Sequence, residues 1–258
     1  MKAISAVPVF VGFWGLGVLT VSGTSQPSTA TGRYEKYDEY FRKYSKAYFD
    51  DRGDPVSWQL LKAQAIVESN LRPDIVSPEH AVGLMQLTPG TYEAVRQQMH
   101  QENKRLGRQK NRELGDPRDP ESNIAAGIWH DHEQWVLWKP KSEGKYHREF
   151  MLASYNAGPR PLQRAQEVAQ SQKMNHRQWP TIVKVAPKVK GWRSEETIPY
   201  VDSVIRDTGS LDKDGRVVGP VISKVDDAGR FVKNVGGFLA TQLKKLPLLR
   251  LFHRGDGE

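Results

Sequence analysis

One carboxylate stands where it could do acid–base chemistry. Trp58, Leu61, Ala65 and Glu68 fall at i, i+3, i+7 and i+10, which is one face of a helix. Asp54-Pro55 reads as the start of that helix, an acidic N-cap followed by proline at the first helical position. Glu68 then points the same way as the apolar side chains. Partial desolvation on that face disfavours its charged form and predicts a raised pKa. A carboxylic acid still protonated near neutral pH can give a proton to a leaving group. A loop broken by Pro73 and Pro78 follows, then the small apolar turn Ala81-Val82-Gly83-Leu84-Met85-Gln86, then a new helix start at Thr88-Pro89. His130-Asp131-His132-Glu133 is the one run that suggests a metal. Two histidines at i and i+2 of a helix face different directions, so one ion cannot take both, and no metal is expected.

Several elements must hold these residues. Tyr34, Tyr37, Phe41, Tyr44 and Tyr48 are spaced three and four apart, which predicts one amphipathic helix from Tyr34 to Asp50 with an aromatic stripe that could bind sugar rings but more often packs in a core. From Pro89 a helix should run to about Arg105 with Tyr92, Val95 and Met99 inward, followed by a polar loop over residues 100–118. Asp119-Pro120 repeats the cap-then-proline signal, with Ile124, Ile128, His132 and Trp135 on one face. Phe150 to Asn156 reads as a short helix closed by Gly158, and Arg160 to Gln172 as one more polar helix. Residues 173–194 mix Pro, Lys and Trp without a clean period and read as a loop or an excursion over a cleft. Glu195 to Asp207 should be helical, with Pro199 in its first turn and Gly209 closing it.

The chain has 258 residues, enough for one ordinary domain with tails, and no cysteine, so disulfides, Cys-ligated zinc and lipidated cysteine are excluded. Its net charge of +8 suits a polyanionic partner, whether nucleic acid, anionic lipid or a carboxylate-rich cell wall. No nucleic-acid recognition motif accompanies that charge, so no nucleic acid is expected. After Lys2, the run Ala3 to Val21 is uncharged; residues 1–23 read as a signal peptide or an N-terminal membrane anchor, and 24–32 as a polar linker. At the other end, residues 210–258 read as a basic amphipathic tail. Phe231, Val235, Phe238, Leu239, Leu243 and Leu246 would form its apolar stripe, and no acid occurs between Phe231 and Arg254. Such a segment either lies on a membrane surface or docks back on the domain.

Glu68-Ser69, Ser77-Pro78, Gly83-Leu84-Met85-Gln86 and Pro89 together resemble the catalytic core of soluble lytic transglycosylases. Two later stretches agree in order, Ala153-Ser154-Tyr155-Asn156-Ala157-Gly158-Pro159 and Thr197-Ile198-Pro199-Tyr200-Val201, and so does Asp119, Pro120, Asn123, Ile124 and Gly127, which looks structural. The resemblance covers about Asp54 to Asp207. It implies a mainly α-helical, goose-lysozyme-like domain, taken over residues 33–209, that acts on peptidoglycan glycan strands without a cofactor; the N-terminal run adds export to the periplasm or cell envelope. The resemblance implies that Glu68 protonates the bond between N-acetylmuramic acid and N-acetylglucosamine. The carboxylate then takes the proton of the muramoyl C6 hydroxyl, which closes a 1,6-anhydro ring. Ser77 is carried over as the loop serine near the sugar's N-acetyl group, and Met85 and Gln86 as lining of the cleft. Tyr155 and Asn156 match a pair near the acid, and Tyr200 a tyrosine that orients it. His80 departs from the pattern where glycine is usual, and Thr88 where methionine is frequent. Glycosidases commonly use two carboxylates, about 5–5.5 Å apart when retaining and about 6.5–9.5 Å when inverting. No second acid has an equal claim here, although Asp74 and Glu79 lie in the following loop. A hydrolase on the same fold, or a non-catalytic wall-binding or assembly protein, are the alternatives.

Overall fold

The computed structural model of the protein describes residues 29–107, 113–226, 229–232 and 241. Among them the chain forms nine α-helices, and its extended contacts are isolated bridges rather than strands. The helix that ends in Glu68, α3 (Trp58–Ser69), lies at the centre. Every residue from Leu60 to Ser69 is buried, Lys62 and Gln64 included. The single apolar face expected for it is therefore too narrow a description: a helix wrapped on all sides has no wet face to set a period. Its cap also differs from expectation. Ser57 accepts the Leu60 N–H at 3.3 Å, while Asp54 sits upstream and pairs with Lys139 at 2.6 Å.

Two helices flank α3 directly, α2 (Asp38–Tyr48) and α9 (Ser194–Thr208). The ring is closed by α5 (Pro120–Trp138), which packs on α2, and α6 (His147–Ala157), which packs on both α5 and α9. The inner faces of these five helices hold Phe41, Ile66, Ile124, Ile128, Met151, Leu152, Val201 and Val204, all essentially inaccessible to water. The aromatic stripe near the N-terminus is core, as its spacing suggested: Tyr37, Phe41, Tyr44 and Tyr48 are buried, with Tyr48 edge-on to Trp129 at 5.2 Å. It is not one helix, however. A turn at Lys36–Tyr37 separates α2 from α1 (Thr29–Glu35), and α1 includes Thr29 to Gly32 of the expected linker.

Two starts fall where the sequence placed them. Thr88 caps α4 (Pro89–Leu106) by accepting the Thr91 N–H, and Asp119 caps α5 by accepting the Ser122 N–H at 2.9 Å. Tyr92, Val95 and Met99 face inward. Past α6 the chain turns at Gly158 straight into α7 (Pro159–Ser171). Residues 173–194 are not a simple loop. They contain α8 (Trp179–Val185) and a 3-10 turn at Ala186–Lys188, and Trp179, Ile182, Val185, Val189 and Trp192 are buried. The helical spacing of these apolar residues is masked in the sequence by the lysines and prolines between them. In α9, Pro199 falls past the first turn, in the helix interior.

The chain does not leave the body at residue 209. Leu211, Ile222 and Val225 are buried, and the segment runs back along α3. Arg42 donates to the Asp214 carbonyl, Lys62 to the Gly215 carbonyl at 2.7 Å, and the Lys224 N–H to the Val67 carbonyl at 2.8 Å. Residues 1–28 lie outside the described residues, with the expected leader or anchor, as does the apolar stripe past Val232.

Candidate active site

Glu68 sits in the last turn of α3 with about 4% of its surface exposed, at the floor of a cleft of about 360 Å³. The residue after it ties the helix end to the far wall: the Ser69 hydroxyl donates to the Ala65 carbonyl and to the Leu84 carbonyl at 2.8 Å. That fixes the Ala81–Gln86 turn beside Glu68. Asn123, on α5, holds the same turn from below. Its amide donates to the Val82 and Pro117 carbonyls, and its carbonyl oxygen accepts the Met85 N–H at 2.7 Å. Gly83 is required there. Its φ is +81°, and a Cβ would lie 2.5 Å from Asn123 and 2.9 Å from the Pro117 carbonyl.

The residues expected at the site divide into two groups. Ser77, Gln86, Tyr155 and Asn156 line the cleft with Glu68. The Ser77 hydroxyl accepts the N–H groups of Glu79 and Ala81, at 3.2 and 3.1 Å, and so closes its own loop. The Gln86 side chain donates to the Ile75 and Gly83 carbonyls, which offsets its left-handed backbone at φ 49°. The Tyr155 hydroxyl donates to the Met85 carbonyl at 2.7 Å, and burial, then the acids Asp131 and Glu68, push its phenol well above the usual range. Met85 and Tyr200 do not line the cleft. Met85 is buried against Gly127 and serves through its backbone. Tyr200 is fully buried beside Glu68. Burial first, and the Glu68 charge second, hold its phenol well above the usual range, yet its hydroxyl meets no strict hydrogen-bond geometry among the described residues.

His80, where glycine is usual, takes the backbone that glycine would take, at φ 63°, and its N–H donates to the Ser77 carbonyl at 2.9 Å. A non-glycine residue in that conformation carries roughly 1 kcal/mol of backbone strain. Thr88, the other departure from the pattern, caps α4. The two histidines of the metal-like run point apart: His130 lines the cleft beside Tyr155, and His132 packs on Phe49 at 5.5 Å.

Two groups at the site had no signal in the motifs. Asp131 is fully buried on α5, accepts the Gln64 amide at 3.2 Å, and is held well above the usual carboxylate range by burial. The other is Lys224, far along the chain, whose ammonium donates to Glu68 Oε2 at 2.6 Å and lies 4.5 Å from the Tyr200 ring centroid. Other acids in the cleft wall are unremarkable. Glu79 is exposed, and Glu196 pairs with Arg193 at 2.6 Å.

This chain belongs to the transglycosylase SLT domain family, whose model matches residues 47–178. The mainly α, lysozyme-like fold implied by the motifs is thereby met. Among curated relatives it is similar to the membrane-bound lytic murein transglycosylase F of Pseudomonas putida, 27% identical over 174 residues, which is 65% of this chain and 30% of that protein. The protein of the same description from Shewanella halifaxensis is 30% identical over 182 residues, 66% of this chain and 33% of that one. The chain thus spans about a third of the length of the curated relatives it matches. Among solved structures, the 70 kDa soluble lytic transglycosylase of Escherichia coli aligns over 66% of this chain and 24% of its own, with 23% identity and a TM-score of 0.44.

Proposed function

We propose that this protein is a peptidoglycan lytic transglycosylase that cleaves the β-1,4 bond between N-acetylmuramic acid and N-acetylglucosamine. The observation that carries the reading is Glu68, a buried carboxyl group in the last turn of α3 that lines the cleft. One carboxyl group suffices if it acts twice. Protonated Glu68 gives its proton to the glycosidic oxygen as the bond from that oxygen to C1 breaks. The carboxylate then takes the proton of the muramoyl C6 hydroxyl as O6 bonds to C1. Attack within one ring gains from proximity, and no water is consumed. Ser77, Gln86, Tyr155 and Asn156 are the substrate-facing side chains in this reading, and Met85 and Tyr200 support from beneath. Asp131 does not line the cleft, and burial favours its neutral form, so it is poorly placed to be the second carboxylate of a hydrolase.

Hydrolysis is the competing outcome, since Glu79 and Glu196 both reach the cleft wall. Digestion of purified peptidoglycan separates the two. Anhydromuramoyl products, lighter by one water than hydrolytic ones, are expected; reducing muramic ends would make the enzyme a hydrolase, and no release at all would make it a binding protein. The substrate and the relatives' names favour work at the cell envelope, with residues 1–23 as export signal or anchor. No helix among the described residues is long and apolar enough to cross a membrane. Fractionation of cells making the full chain should therefore find it in the envelope, and a cytosolic pool alone would remove that part of the reading.

A further inference from the structure

We propose that Lys224 is a built-in inhibitory plug that holds the site off until a glycan strand displaces its ammonium group. The inference rests on Glu68 being the acid of the proposed reaction. An ion pair needs Glu68 ionised, and an ionised Glu68 has no proton to give. The ammonium also stands at hydrogen-bond distance from Oε2, 2.6 Å, where the glycosidic oxygen must come to be protonated. Both carboxylate and ammonium are largely shielded from water, at 5% and 15% side-chain exposure, so solvent weakens the pair little.

The plug is a side chain on a fixed backbone. The Lys224 N–H is tied to the Val67 carbonyl at 2.8 Å, the Ile222 N–H to Asp207 Oδ2 at 2.7 Å, and Val225 is buried. The same segment contributes Phe231 and Val232 to the cleft wall. Only the lysine stem has to swing for Glu68 to be freed, and the open side of the cleft gives it room. A wall strand, with its carboxylates, offers the displaced ammonium a new partner.

The test compares wall-cleavage rates of the full chain with Lys224→Met, Lys224→Gln and Lys224→Arg at neutral pH, beside Glu68→Gln as control. Both neutral variants should cleave faster, by about threefold or more, and the arginine variant should not. Neutral variants that fold normally but cleave at or below the wild-type rate would overturn the proposal. So would failure of both to fold, because the lysine would then be a structural ion pair. If Glu68→Gln itself stays active, the assignment of the acid fails instead, which the control reads separately.

Discussion

As the acid of the proposed reaction, Glu68 needs three things from its neighbours: shelter from water, a fixed direction, and access to the cleft. Shelter comes from its place on the most buried helix, and direction from Ser69 and the turn it ties down. Replacing it by glutamine keeps the shape and removes the proton. Glu68→Gln should lower wall cleavage by about a thousandfold while the melting temperature and glycan binding hold, as zymography and a pull-down on insoluble wall would read. Activity within a few-fold of wild type would remove Glu68 from the mechanism. Tyr200 acts one layer deeper. Its hydroxyl is buried beside the carboxylate, and its ring lies under the Lys224 ammonium. Tyr200→Phe should therefore reduce kcat by about tenfold with little change in KM, and displace the pH profile. A profile and kcat that both match wild type would leave Tyr200 as packing.

Among the elements, those whose local chemistry is self-contained were legible. Thr88-Pro89 and Asp119-Pro120 start helices because cap and proline act on their own backbone. The aromatic stripe is legible as core because its spacing is helical, although the break at Lys36–Tyr37 leaves no mark in that spacing. Less legible was α8, whose apolar residues are separated by prolines and lysines, and α3, which has no polar face to set a period. The segment after α9 was opaque, since its anchors are single long-range contacts. Asp207 is one of them. It accepts the Ile222 N–H, contacts Arg206, and burial pushes its carboxyl up from 3.8 to about 7. The folded state thus binds this proton more tightly than the unfolded one. Its contribution to stability is full below about pH 4 and is lost as pH rises to about 7. Other groups titrate over the same range, so the comparison is with Asp207→Asn, which keeps an acceptor for Ile222. The loss of Tm between pH 4.5 and 7.5 should be smaller in the variant by several degrees. Parallel Tm curves would contradict the assignment.

At the scale of the whole molecule, the family's pattern is shorter than the unit that folds. The match ends at residue 178, the sequence motifs end near Asp207, yet buried side chains continue to Val225. Charge and stripe in the tail suit a membrane surface, whereas the stretch just after residue 209 closes the core over α3. Its tightest point is Gly215. The backbone there has φ +82°, and a Cβ would stand 2.0 Å from the Trp58 ring, while the Gly215 carbonyl accepts from the buried Lys62 ammonium. Lys62 also pairs with Asp38 at 2.5 Å; burial drives the lysine down and the aspartate up from their usual ranges, so losing the carbonyl leaves a costly group behind. Gly215→Ala in the full chain must move either the loop or the indole ring, and should cost about 2–4 kcal/mol in urea unfolding. A chain ended after Gly209 loses that contact together with Leu211, Ile222, Val225 and the Val67 bridge, and should melt at least about 10 °C lower or aggregate. If the shortened chain melted with the full one and Gly215→Ala were silent, residues 210–232 would be an appendage. The expected result is that they are the last layer of the folded body, which is also why Lys224 within them can reach Glu68.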